Sequence, residues 1–333
     1  MAQHLPKLAD WEQVSTNVVR ILGGNPSKFT LQGTNTYLLG QGSERLLIDT
    51  GEGKKQWTDT LRTVLDVHKA KVSTCILTHW HHDHVGGVKS LESLGPIKVY
   101  KAQPTLNPDG ILDPDRVHEI SNGQRFSTTS TDGKPFEIEA VHTPGHAKDH
   151  MCFLVTSSPD PSEVGSLFTA DNVLGHGTAV FEDLAAYLDS LHLMKSRAKG
   201  KAYPGHGAVI EDATAKIDEY IAHRRMREEE ALNVLRYGTV KPPGTSSATH
   251  DSITSYGESD SETEKPAGLG KEVTVGKEWA SMEMVKVIYR HYPESLYQPA
   301  EYGVLMVLEK LKKDGKVVKT ESGKWRVSEK ATL

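Results

Sequence analysis

Six consecutive residues, His79 to His84, hold five side chains able to ligate a metal, within the run Thr78-His79-Trp80-His81-His82-Asp83-His84-Val85-Gly86-Gly87. Imidazole nitrogen and carboxylate oxygen are the donors that zinc and similar transition metals take up. A solvated histidine cluster is the plain alternative, yet imidazoles and a carboxylate gain little from such crowding without a cation. The apolar stretch Thr74-Cys75-Ile76-Leu77 comes just before. It reads as a buried strand, so the run should sit in the loop that leaves its end.

The pattern His-x-His-x-Asp-His, filled by His79, His81, Asp83 and His84, resembles the metallo-β-lactamase superfamily. Three further stretches follow in that family's order: Thr143-Pro144-Gly145-His146, Leu167-Phe168-Thr169-Ala170-Asp171 and Tyr203-Pro204-Gly205-His206-Gly207. Upstream, Leu46-Leu47-Ile48-Asp49-Thr50-Gly51 looks like its early strand and turn, where the aspartate is structural. The resemblance implies two zinc ions per chain. His79, His81 and His146 would hold one, Asp83, His84 and His206 the other, with Asp171 bridging. Three protein ligands leave a catalytic zinc one open position for water. Two such ions can share a hydroxide, bring the pKa of water to about 7 and polarise the substrate oxygen. Hydrolysis is the reaction class this implies, with Asp83 both ligating and orienting the nucleophile, and no Ser-His-Asp triad is required. Manganese or iron would suit the same donors.

The elements that must carry these residues read as alternating strands and helices. Residues 17–22, 35–39, 45–49, 72–78, 98–100, 136–141 and 151–155 have the apolar, β-branched character of strands. Residues 57–68, 183–197 and 212–236 have helical spacing. Candidate ligands at strand ends with helices between suit an α/β protein, the αββα metallo-β-lactamase sandwich that the resemblance implies. Trp80 and His82 lie between ligands and should point away from the metals. Gly86 and Gly87 should permit close backbone packing.

Beyond residue 237 the composition changes. Residues 238–276 contain Pro242-Pro243-Gly244, Thr245-Ser246-Ser247 and the acidic Glu258-Ser259-Asp260-Ser261-Glu262. So few apolar residues cannot offset ordering entropy, which marks a disordered linker or insertion. Residues 278–292 and 298–313 then read as helices and 316–327 as a hairpin, with Gly315 closing a helix and Gly323 in the turn. The domain reading is therefore a hydrolase domain over 14–237, a linker over 238–276, and a small winged-helix-like C-terminal module over 277–328. Lys310, Lys312, Lys313, Lys316 and Lys319 raise the question of nucleic acid. Interspersed acids, a formal charge of −5 and a pI near 6.3 favour a solvated surface instead.

The remaining composition sets limits. No apolar run approaches the roughly 20 residues of a membrane span. The opening Met1-Ala2-Gln3-His4-Leu5-Pro6 lacks a signal pattern. Cys75 and Cys152, the two cysteines, lie in strand-like runs and read as buried thiols of a reducing compartment. The cytoplasm is the expected location.

Gly23-Gly24-Asn25-Pro26, Leu31-Gln32-Gly33-Thr34-Asn35-Thr36-Tyr37, His150, and Gly177-Thr178-Ala179-Val180-Phe181-Glu182-Asp183-Leu184 narrow the resemblance to the lactamase-like protein group. That group includes a mitochondrial single-strand endoribonuclease and the lactamase-type thioesterases of fungal non-reducing polyketide synthases. Leu174 to Phe181 looks closer to the thioesterases. This implies a zinc thioesterase that releases an aromatic polyketide acid from an acyl carrier protein. Single-stranded RNA cleavage is the alternative, and glutathione-thioester hydrolysis a lesser one. His150 and His176 are candidate substrate-binding residues. Thr34 and Asn35 read as turn formers at a strand entry.

Overall fold

Alternate residues of the central strands part to opposite faces, and this alternation assembles the fold. The computed structural model describes residues 5–130, 132–241 and 277–329. The chain falls into two compact units that divide between Ile221 and Ala222.

In the first unit, β1 (Trp11–Ser15), β2 (Val18–Leu22), β3 (Asn35–Leu39), β4 (Glu44–Ile48), β5 (Lys71–Leu77), β6 (Lys98–Lys101) and β7 (Val117–Glu119) lie side by side in that order. The pairings from β4 to β7 are parallel and the earlier ones antiparallel. A second sheet runs β12-β11-β10-β9-β8, with β8 (Arg125–Thr129), β9 (Pro135–His142), β10 (Met151–Ser157), β11 (Leu167–Ala170) and β12 (Ala202–Pro204). Val18, Leu39, Leu46, Ile48 and Ile76 from the first sheet pack against Phe136, Ile138, Phe153, Phe168 and Tyr203 of the second. Their sequence neighbours Val19, Leu38, Leu47, Cys75 and Leu77 face the other way, onto Trp57, Leu61 and Val64 of helix α1 (Lys55–His68). The period of two thus places one apolar set between the sheets and the other beneath a helix.

Two short helices, α2 (His82–Val85) and α3 (Val88–Glu92), follow β5. At the junction, a Cβ on Gly87 would lie 2.1 Å from the Thr50 carbonyl oxygen, so only glycine lets these backbones approach. Helix α4 (Leu184–Arg197) is capped by the Asp183 carboxylate, which accepts from Ala185 N–H and Ala186 N–H. Ser190 Oγ donates to the Pro144 carbonyl and Tyr187 OH to that of Asn172, which ties α4 to the loops of the second sheet. The layers are the expected αββα sandwich. Strands β1, β7, β8 and β12 were not evident in the sequence. β8 has a single large apolar residue, Phe126, and its alternation is otherwise carried by serine and threonine.

Helix α5 (Ala213–Tyr237) crosses the division between the units. The second unit continues with α6 (Ser281–Ile288), α7 (Tyr297–Lys313) and the hairpin β13 (Val317–Lys319) and β14 (Trp325–Val327). Gly315 and Gly323 take φ of 72° and 80° at the helix end and the hairpin turn. The helix expected over 278–292 is shorter than its pattern. Trp279 exchanges two backbone hydrogen bonds with Trp325, at 2.9 and 2.8 Å, and this strand pairing holds the segment extended before α6 begins. The arginines and glutamates of α5 pair only partly among themselves. Arg227 meets Glu230 at 2.8 Å, whereas Glu228 takes Lys310 of α7 at 2.7 Å. Beyond Lys241, the linker expected over 238–276 lies outside the described residues. Among the described residues no helix is long and apolar enough to cross a membrane.

Candidate metal centre

Every candidate ligand follows the C-terminal end of a strand. β5 delivers His79, His81, Asp83 and His84, β9 leads to His146, β11 to Asp171 and β12 to His206. Their donor atoms converge as two groups, each able to hold a metal ion: His79, His81, His146 and Asp171, and Asp83, His84 and His206. His82 is exposed and belongs to neither.

In the first group, His79 Nε2 lies 2.9 Å from His81 Nδ1 and 3.2 Å from His146 Nε2, and the latter two are 2.9 Å apart. The partners behind the rings fix what these nitrogens present. His146 Nδ1 is 2.8 Å from the Val180 carbonyl, which can only accept, so Nδ1 carries the proton and Nε2 a lone pair. Thr78 Oγ1 donates to Asp49 Oδ2 at 2.9 Å and is therefore free to accept from His79 Nδ1 at 2.9 Å, which again leaves Nε2 as lone pair. Lone pairs that converge at such distances repel unless a cation lies among them. Burial, reinforced by the neighbouring rings, holds His79 well below its ordinary pKa, and burial pushes His81 down to about 4.

The second group has a different charge pattern. Asp83 Oδ2 faces His84 Nε2 at 3.3 Å and His206 Nε2 at 3.2 Å. Asp171 lies between the groups, with Oδ1 3.4 Å from His84 Nε2 and Oδ2 3.5 and 3.3 Å from His146 and His206 Nε2. His84 Nε2 and Asp171 Oδ1 are buried without a hydrogen bond in the protein, as ligand atoms without their ion would be. Although burial opposes it, the carboxylates Asp83, Asp171 and Asp49 raise His84 well above its usual value. Against the same opposition, Asp171 and Asp83 lift His206 to about 9. The Asp83 carboxyl, despite burial, is held well below its ordinary range by His84 and His206, and that of Asp171 by His206 and His84. The donor set fits divalent metal. Each imidazole behind which a partner is found points a nitrogen inward, as outer partners of metal-bound histidines do.

Of the supporting residues one was expected and others were not legible as such. Asp49 is the structural aspartate expected. Its Oδ1 accepts from Thr78 N–H at 2.8 Å, and Oδ2 takes His84 Nδ1 at 2.7 Å. Thr34 does more than form a turn: its hydroxyl donates to Asp83 Oδ2 at 3.2 Å. Asn25 holds Thr34 through its backbone N–H at 2.9 Å and its side chain at 3.1 Å. Gly205 leaves room for the centre, since a Cβ there would meet Asp171 Oδ1 at 2.2 Å. His150 departs from its expected substrate contact. It is fully buried, with Nδ1 3.0 Å from Thr143 Oγ1 and Nε2 accepting from Asp171 N–H at 3.2 Å, so it supports the backbone of Asp171. His176 is half-buried on the loop whose Gly175 N–H donates to the His206 carbonyl at 2.9 Å.

Residues 29–206 match the metallo-beta-lactamase superfamily and residues 280–325 the beta-lactamase associated winged helix domain. The chain is 45% identical over 234 residues to the lactamase-like protein nscB of Arthroderma gypseum, covering 69% of this chain and 68% of that one. It is 43% identical over 248 residues to the atrochrysone carboxyl ACP thioesterase of Aspergillus chevalieri, 74% of each chain. With the beta-lactamase-like protein 2 homolog of Drosophila melanogaster it shares 38% identity over 313 residues, 92% of this chain and 91% of that one. A beta-lactamase domain protein from Burkholderia ambifaria has the same fold, with a TM-score of 0.68 at 16% identity over 98% of both chains. A metallo-beta-lactamase family protein of Thermus thermophilus gives 0.59 at 21%, over 92% of this chain and 98% of that one. That family implies divalent metal binding, and the clustered histidines and aspartates of this chain fit it. The chain belongs to the metallo-β-lactamase superfamily.

Proposed function

We propose that this chain is a zinc thioesterase that releases an aromatic polyketide acid from the acyl carrier protein of a non-reducing polyketide synthase. His79, His81 and His146 would hold one ion and Asp83, His84 and His206 a second, with Asp171 facing both groups. When bound, such a pair supplies Lewis acidity, which acidifies water and polarises the thioester carbonyl. The protein's own groups do the positioning. Asp83 Oδ2 faces His84, His206 and Thr34, which leaves Oδ1 to orient the attacking water and take its proton. Asp83 is also the more open carboxylate, its side chain 22% exposed against 11% for Asp171. The thioester carbonyl gains the oxygen nucleophile, the C–S bond breaks, and the thiolate of the carrier leaves.

The observation that carries the thioester reading is the 43% identity over 248 residues with a protein named as an ACP thioesterase. Two large apolar side chains left exposed support an apolar acyl group. Phe29 is on the loop that brings Asn25 and Thr34 to Asp83, and Val180 is the residue whose carbonyl holds His146. His176, half-buried on the loop bonded to the His206 carbonyl, is the proposed substrate contact. A cytoplasmic location and the domain limits 14–237, 238–276 and 277–328 belong to this reading.

Cleavage of single-stranded RNA is the second reading. It is favoured by one observation: the Drosophila relative, whose name is not that of a thioesterase, covers 92% of this chain, whereas the fungal thioesterase covers 74%. Against it, Lys310, Lys312 and Lys316 already have carboxylate partners in Glu228, Glu309 and Asp314. The zinc-loaded protein and its Asp83→Ala variant should be given an acyl-pantetheine thioester and a labelled single-stranded RNA. Thioester cleavage that disappears with Asp83, beside intact RNA, is the expected result. RNA cleavage with an inert thioester would transfer the chain to the second reading.

A further inference from the structure

We propose that the buried ion pair Lys101–Asp149 is a positioning device for the first metal group, locking the strand that delivers His79 to the turn that delivers His146. Neither residue stood out in the sequence, and neither touches the converging donor atoms. Both side chains are wholly buried, with Nζ 2.5 Å from Asp149 Oδ2. Lys101 also donates to the carbonyls of Ala102, Gln103 and Leu106 at 3.0, 3.1 and 3.0 Å. Four oxygens therefore surround one ammonium, and the segment from Ala102 to Leu106 wraps it, with Gln103 in the left-handed region at φ 47°.

The placement of the pair gives it its role. Lys101 is the last residue of β6 and is in register with Leu77, the last residue of β5, two positions before His79. Asp149 stands in the turn that carries His146, and Thr143 N–H donates to the His150 carbonyl at 2.9 Å to close that turn. Immediately beyond it, Met151 N–H donates to the Thr78 carbonyl at 2.9 Å. The ion pair is thus a side-chain tie that meets the same two segments from the side of β6. Burial pulls the ammonium below its ordinary pKa and pushes the carboxyl above its own, and each partner opposes that for the other. A pair so desolvated contributes little net stability compared with apolar residues of the same volume. Its contribution is geometric: it fixes where the His146 turn stands relative to β5.

The proposal rests on metal binding at His79, His81 and His146. Cobalt(II) is titrated into metal-stripped wild-type protein and into Lys101→Met/Asp149→Asn, following both binding and visible absorption. The double variant removes both charges at nearly constant volume. Expected are a folded chain by circular dichroism, cobalt binding at the first group weakened by about 10–100-fold, an altered absorption band, and an unchanged second equivalent. If that variant does not fold, Asp149→Glu, which keeps both charges but moves the anchor by one methylene, carries the test with an expected loss of about tenfold. A folded variant with wild-type cobalt affinity and spectrum overturns the proposal. A wild type that binds no cobalt overturns instead the metal reading beneath it.

Discussion

The two halves of the metal centre use the same residue types and prepare them in opposite ways. Around His79 and His81, burial and mutual crowding keep imidazoles neutral, with His81 down to about 4. Around Asp83, His84 and His206, carboxylates overcome burial and keep imidazoles protonated, with His206 up to about 9. The first half is a set of lone pairs awaiting a cation. The second is a set of ion pairs in which a cation must displace protons. Metal affinity is thus written into the surroundings as much as into the ligands, and Asp171, which faces both halves, is where they meet.

Removing that shared residue should have the largest effect. Asp171→Ala is expected to cut hydrolysis by more than about 100-fold, beyond what groups behind ligands typically cost, and to lower metal content in both halves by elemental analysis. Gly205→Ala should come next. Its methyl group would press on Asp171 Oδ1 and lies 3.1 Å from His84 Cε1, so about a 100-fold loss is expected while the histidines of the first half stay in place. Metal analysis that finds both halves equally depleted would break the comparison.

A milder perturbation separates the halves without mutation. Ligation needs neutral imidazole, so zinc uptake by the second half should rise with pH toward 9 by about tenfold per pH unit for each of His84 and His206 that gives up a proton. The first half, with His81 down to about 4, should show little change over the same range. Calorimetry in buffers of different ionisation enthalpy would count the protons released. The smallest effect is expected from Thr34→Val, which removes one hydrogen bond to Asp83 Oδ2. Steady-state kinetics should show about a tenfold lower kcat with metal content unchanged.

The residues that converge at the candidate centre were legible because they lie in local motifs, four of them within His79 to His84 and the others in the stretches ending on His146, Asp171 and His206-Gly207. The first sheet was mostly legible as well, since a strand such as β2 is apolar at every position but Arg20. What surrounds the ligands was not. Thr34 reaches Asp83 across 49 residues, the Val180 carbonyl reaches His146 across 34, and Lys101 pairs with Asp149 from another strand. Such contacts exist only once topology has brought strand ends together, and nothing local marks them. His150 shows the same limit. It was a candidate substrate residue, and nothing local shows that the turn folds it inward behind Asp171. The start of α6 was misplaced because the pairing of Trp279 with Trp325 overrides a helical pattern.

The central claim is that two unlike halves act as one hydrolytic centre, and it can be tested by titrating metal-stripped protein with zinc. Bound zinc and hydrolysis of an acyl-pantetheine thioester would be followed in the same samples. Two zinc ions per chain, with the full rate reached only as the second is bound, is the predicted result. A full rate at one equivalent, with the second group still empty, would contradict it.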